Sequence, residues 1–124
     1  MRANVFSHGH TYSAEVCVSS SELREVGFVI DFGDLKKIAK GWIDENWDHG
    51  LILNMADPLC DLLTVEHALI YKMPGLLEPT AENMAKILFD VVEKEVHKIS
   101  PDINVEYVSI KETPTNTAVY RRDK

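Results

Sequence analysis

PTAENMAKILFDVVEKEVHKISPDINVEYVSIKET, residues 79–113, contains the two periodicities that decide the fold. Ala85, Leu88, Val92, Val96 and Ile99 recur at helical spacing, which predicts one long amphipathic helix with that stripe buried. Thr80, behind Pro79, is placed as its N-cap, and Glu82 suits the positive end of the helix dipole. His97 falls late in the same helix, where the dipole favours it, and is read as a surface residue. INVEYVSIKET then reads as a strand with apolar residues on both faces, and TAVYRR as a last strand across the turn PTN.

The upstream half follows the same logic. Ala14, Val16 and Val18 alternate with Ser13, Glu15 and Cys17, so a half-buried strand is expected from His10 to about Val18. SSSELRE interrupts it as a turn, and GFVIDF, residues 27–32, is expected to return as the second strand of a hairpin. Leu35, Ile38, Ala39, Trp42 and Ile43 form an apolar stripe for a helix from about Asp34 to about Asn46. Trp42 and Trp47 suit a core or interface. Residues 55–80 are the least regular, with a short helix expected in DPLCDLLT and a short strand in ALIYKMPG, closed by Pro74-Gly75. The order strand, strand, helix, helix, strand, strand predicts an α+β domain, an antiparallel sheet with two helices on one face. Residues 1–124 are read as one domain, without repeat or linker.

Composition narrows the partners. Twenty acidic residues against thirteen basic ones leave a net charge of −7. With no Lys/Arg cluster, nucleic acid and anionic membrane surfaces are not expected as partners. No apolar run reaches the length of a signal peptide or membrane span. The two cysteines, Cys17 and Cys60, match no disulfide or zinc spacing. A cytoplasmic protein with reduced thiols is the expectation.

Three places carry candidate chemistry. In a strand, His8 and His10 would share a face with Cα atoms roughly 6.5–7 Å apart. That face is expected to be the one carrying Tyr12, Val16 and Val18. Such a pair can bind one metal, zinc being favoured by imidazole, but the spacing equally suits two solvated or hydrogen-bonded histidines. In WDHG, Asp48 could orient His49 as a general acid/base, or His49 could simply follow a helix C-terminus. Glu112 lies in phase with Val108 and Ile110. It is either a rim carboxylate or an anchor for a ligand edge with paired N–H donors.

The fragments HGHTY, GFVIDFGDLK, WDHGLILN, PTAENMAKIL and VSIKET stand in the order and spacing of the 6-pyruvoyltetrahydropterin and 6-carboxytetrahydropterin synthase family. The chain resembles that family over nearly its whole length. The resemblance implies the tunnelling fold, in which subunits join edge to edge into barrels, as trimers or hexamers. It implies a lyase that eliminates triphosphate from 7,8-dihydroneopterin triphosphate, using zinc held by three histidines. By that resemblance His8 and His10 are metal ligands, Asp48 and His49 the acid/base pair, and Glu112 the pterin anchor. Thr80 and Glu82 match positions lining the pterin pocket. LNMADPLCDLL and PTAEN look more like the branch that makes 6-carboxytetrahydropterin for 7-deazaguanine (queuosine-type) biosynthesis. 6-Pyruvoyltetrahydropterin synthesis and a non-catalytic pterin-binding or assembly module are the alternatives.

The chain also departs from that pattern. The family's opening strand carries F-x-A-A-H, whose histidine is the third zinc ligand, and only MRANVFS precedes His8 here. Asn4 stands four residues before the first histidine of HGH, where the family has its catalytic cysteine. An N-terminal strand bearing those two groups is therefore expected to be missing. Cys60 and His67, in the irregular segment, are the candidates to complete the site.

Overall fold

The computed structural model describes residues 2–8, 13–20, 32–47, 51–56, 70–113 and 116–122. In chain order the elements are β1 (Arg2–His8), β2 (Ser13–Ser20), α1 (Phe32–Asn46), β3 (Leu51–Asn54), β4 (Ile70–Met73), α2 (Ala81–Ile99), β5 (Ile103–Thr113) and β6 (Asn116–Arg121). A 3₁₀ turn at Pro74–Leu76 follows β4, with Gly75 at φ 65°, a left-handed conformation that glycine tolerates.

β1, β2, β5 and β6 form a four-stranded antiparallel sheet in that order. Its registry follows the alternation of apolar residues. Ala14, Val16 and Val18 lie opposite Ile110, Val108 and Val105, and all six are buried. α2 covers this face with Met84, Ala85, Leu88, Val92 and Val96, while α1 contributes Leu35, Ala39 and Ile43 to the same core. The residues of α2 on the far side, such as Glu82, Lys86 and Asp90, are exposed, as an amphipathic helix on a sheet requires.

The helix and the sheet are tied together at one polar point. Between Cys17↔Tyr107 and Val18↔Val105 the register slips by one, so Glu106 is the extra residue of a β-bulge. Beside it, the Val105 N–H donates to the Glu93 carboxylate of α2 at 3.3 Å. The same carboxylate oxygen accepts from the Arg122 guanidinium just past β6, and the Arg122 N–H donates to the Glu106 carbonyl at 2.9 Å. Ser19 closes the group by donating its hydroxyl to the Glu106 carboxylate.

The sequence expectations hold for α1, α2, β5, β6 and the short strand at β4, and differ elsewhere. β2 lies between β1, a strand preceding it, and β5. Phe32 already belongs to α1, and residues 27–31 lie outside the described residues. A strand therefore does occupy 2–8, although it carries no F-x-A-A-H motif. Leu51–Asn54, read as part of no element, pairs in parallel with β4. Parallel pairing needs a long crossover, and residues 55–69 supply it by count; the helix expected in DPLCDLLT lies outside the described residues. Ile99, expected in the buried stripe, is 47% exposed because it closes the last turn beyond the edge of the core.

Leu88 is fully buried between α2 and the sheet. Leu88→Ala is expected to cost about 2–5 kcal/mol of stability, read as a lower urea midpoint at unchanged slope.

Candidate functional site

Chain reversal gathers part of the candidate site at one end of the domain. α2 has 19 residues and β5 has 11, joined by a turn at 100–102. At about 1.5 Å and 3.3 Å per residue these elements are of comparable length. The end of β5, with Glu112, therefore returns toward the end at which α2 begins, with Thr80 and Glu82.

Thr80 has extended dihedrals and its Oγ1 accepts the Asn83 N–H at 3.2 Å, as an N-cap requires. The Asn83 side-chain amide reaches back to the Glu78 carbonyl at 3.0 Å, which holds the segment entering the helix. Glu82 lies in the first turn and is exposed, so its carboxylate faces solvent at the positive end of the dipole.

Glu112 sits at a second irregularity. Lys111 pairs with Thr117 and Thr113 with Asn116, so Glu112 is the extra residue on β5. Asn116 donates its side-chain amide to Glu112 Oε2 at 3.1 Å. Sequence reading passed over Asn116, taking it only as part of a turn.

His8 closes β1 and lies in a row with Ser13, Lys111 and Thr117 across the four strands. It is thus at the Glu112 end of the sheet. Its register position is on the Ser13 and Glu15 side, opposite to Ala14, Val16 and Val18. The expected shared face with Val16 and Val18 fails because β1 and β2 are antiparallel partners with His8 directly across from Ser13. His10 lies outside the described residues. Asn4 is directly across from Cys17, which is buried.

Asp48, His49, Cys60 and His67 also lie outside the described residues. The residue just before the Asp-His pair is nevertheless firmly held. α1 begins where Asp34, Lys37 and Ile38 share a cleft with Glu95, Lys98 and Ile99 of α2, and it runs away from that end. At its other end Trp47 is 2% exposed. Trp47 meets Trp42 edge-on, with centroids 4.7 Å apart, and Tyr71 at 5.8 Å. Such edge contacts add about 0.5–1.5 kcal/mol each beyond burial.

The donor chemistry of two imidazoles suits zinc, while a catalytic zinc takes three protein ligands. Among the described residues, no group of three or more His, Cys, Asp or Glu converges on a possible metal position. Of the two imidazoles, His8 ends β1 and His10 lies outside the described residues.

Comparison with known proteins matches residues 2–123 to the family model described as 6-pyruvoyl tetrahydropterin synthase. The chain belongs to this family. A curated relative from Rickettsia bellii, named 6-carboxy-5,6,7,8-tetrahydropterin synthase, is 35% identical over 88% of this chain and 78% of its own length. Relatives of the same name from Aquifex aeolicus and Bacillus subtilis are 33% and 32% identical, each over 94% of this chain and over 74% and 69% of their own lengths. Among solved structures, a catalytic-residue mutant of Plasmodium vivax 6-pyruvoyltetrahydropterin synthase superposes with a TM-score of 0.74 at 17% identity, covering 100% of this chain and 98% of the other. An uncharacterized protein from Wolinella succinogenes gives 0.72 at 21% identity over 90% and 77% of the two chains. The fold is the family's α+β tunnelling fold. No helix among the described residues is long and apolar enough to cross a membrane.

Burial pushes the Tyr71 phenol above its ordinary value of 10.0. The folded state therefore holds the proton after the unfolded chain has begun to lose it, and stability falls as pH rises from about 10 through the folded value. Tyr71→Phe is expected to flatten this alkaline decline, measured as the denaturation midpoint against pH.

Proposed function

We propose that this chain is a pterin-synthase-type lyase acting on 7,8-dihydroneopterin triphosphate, with elimination of triphosphate and 6-carboxytetrahydropterin as product. The observation that carries this reading is the family match over residues 2–123, together with curated relatives of that name along most of their length. The geometry supports it, because Thr80, Glu82, Glu112 and His8 all belong to one end of the domain.

In this reading Glu112 accepts the paired N–H donors of the pterin edge, and Thr80 and Glu82 line the pocket beside it. Asp48 orients the His49 imidazole, which moves a proton on the substrate side chain near neutral pH. His8 and His10 hold zinc, which when bound supplies Lewis-acid polarisation of the side-chain oxygens. The product feeds 7-deazaguanine synthesis in the cytoplasm.

The assembly is a homo-oligomer, a trimer or hexamer, in which β1 of one subunit meets β6 of the next. Three successive antiparallel pairings leave β1 and β6 running in opposite directions. Their junction therefore continues the antiparallel order and removes both edges.

One observation favours a second reading, a non-catalytic pterin-binding or assembly module. Asn4 occupies the place of the family's cysteine, and an amide is neither a nucleophile nor a base near neutral pH. The test is incubation of the purified chain with zinc and 7,8-dihydroneopterin triphosphate, products being identified by mass. 6-Carboxytetrahydropterin with acetaldehyde is expected, and its loss in His49→Ala. A folded chain that binds neopterin and forms neither product would establish the module instead.

A further inference from the structure

We infer that Asn116 is a positioning residue for ligand recognition, acting by orienting the Glu112 carboxylate at the β5 bulge. The inference rests on the reading of Glu112 as the pterin anchor and adds the group that aims it.

A bulge residue is dropped from the ladder, so its side chain is not aimed by the regular pleat. Glu112 is in that condition, between the pairs Lys111↔Thr117 and Thr113↔Asn116. A glutamate there has three free torsions unless a neighbour removes them, and a bidentate carboxylate contact needs a defined plane. Asn116 is the first residue of β6 and supplies the constraint from the partner strand. Its Nδ2 donates to Oε2 at 3.1 Å, four residues along the chain and across the hairpin. A carboxylate oxygen can accept more than one hydrogen bond. Oε2 can thus hold the Asn116 amide and one ligand N–H while Oε1 accepts the second. Oε1 has no hydrogen-bond partner among the described residues.

An oriented carboxylate distinguishes a ring edge with two N–H donors from one with a single donor. Neopterin, with its 2-amino group beside N3–H, is the first kind of ligand, and its 2-oxo analogue the second. The discrimination between them is therefore the property that Asn116 controls.

The experiment measures the Kd of neopterin and of the 2-oxo analogue for the full chain, Glu112→Ala, Asn116→Ala and Asn116→Asp. Asn116→Asp keeps the side chain's shape, loses the donor and sets a second negative charge beside Glu112, so it mis-aims the carboxylate actively, whereas Asn116→Ala loses the donor alone. Thermal midpoints are recorded for each. Asn116→Ala and Asn116→Asp are expected to weaken neopterin by about tenfold and the 2-oxo analogue much less, with midpoints retained. If Glu112→Ala lowers neopterin affinity while both Asn116 variants keep the native ratio of the two Kd values, the positioning role is wrong and the anchor stands. If Glu112→Ala leaves neopterin binding unchanged, the anchor reading fails and the inference with it. An affinity loss equal for both ligands and accompanied by a fall in midpoint assigns Asn116 to hairpin stability alone and overturns the proposal.

Discussion

The Glu93 carboxylate holds the architecture in register. It extends from the middle of α2 and takes hydrogen bonds from the Val105 N–H beside the first bulge and from the Arg122 guanidinium after β6. One side chain thus joins the helix to two strands. Its surroundings are partly dry, since the Glu93 and Arg122 side chains retain 22% and 36% exposure. Losing either partner would leave a polar group poorly solvated, which makes the arrangement a constraint on geometry more than a source of net stability. Apolar packing alone would let α2 slide over a surface of valines and isoleucines. The polar lock specifies where along β5 the helix sits, and hence that Thr80 and Glu112 belong to the same end.

Two bulges on a single strand divide the work. The bulge at Glu106 is filled from within, by Ser19, Glu93 and the Arg122 backbone, and serves the packing of α2. At the bulge of Glu112 the hydrogen-bond partner among the described residues is Asn116, and in the proposed reading the rest of the carboxylate's capacity goes to the ligand. Both exploit the fact that an inserted residue escapes the ladder. They differ in whether the protein itself consumes the hydrogen-bonding groups so released.

Long periodic elements were legible in the sequence because each writes its burial pattern many times over. The stripe of α2 as far as Val96, the Thr80 cap and the burial of Ala14, Val16 and Val18 match the structure, while Cys17, on the opposite parity of β2, is buried as well. β1 was not legible: Ala-Asn-Val-Phe-Ser mixes polar and apolar residues on both parities, so no period emerges over so short a run. The parallel β3–β4 pair escaped for a related reason, since four-residue strands separated by a long crossover carry no local signal. The face of His8 was misjudged because one phase was carried across two strands and the gap between them. For the site, residue types and spacing pointed to His8, His10, Asp48, His49 and Glu112, and the family resemblance added Thr80 and Glu82, whereas Asn116 could be found only from the bulge that brings it to Glu112. Asp48, His49 and His10 lie outside the described residues, with Trp47 the nearest structural anchor to the Asp-His pair.

The central claim is that ligand is held at the end of the domain where α2 begins and β5 finishes. Hydrogen–deuterium exchange by mass spectrometry, with and without saturating neopterin, tests it most directly. The account predicts slowed exchange in peptides covering 80–84 and 109–117 and none in those covering 97–104. Protection confined to 97–104 and to the start of α1 would place the ligand at the opposite end and contradict it.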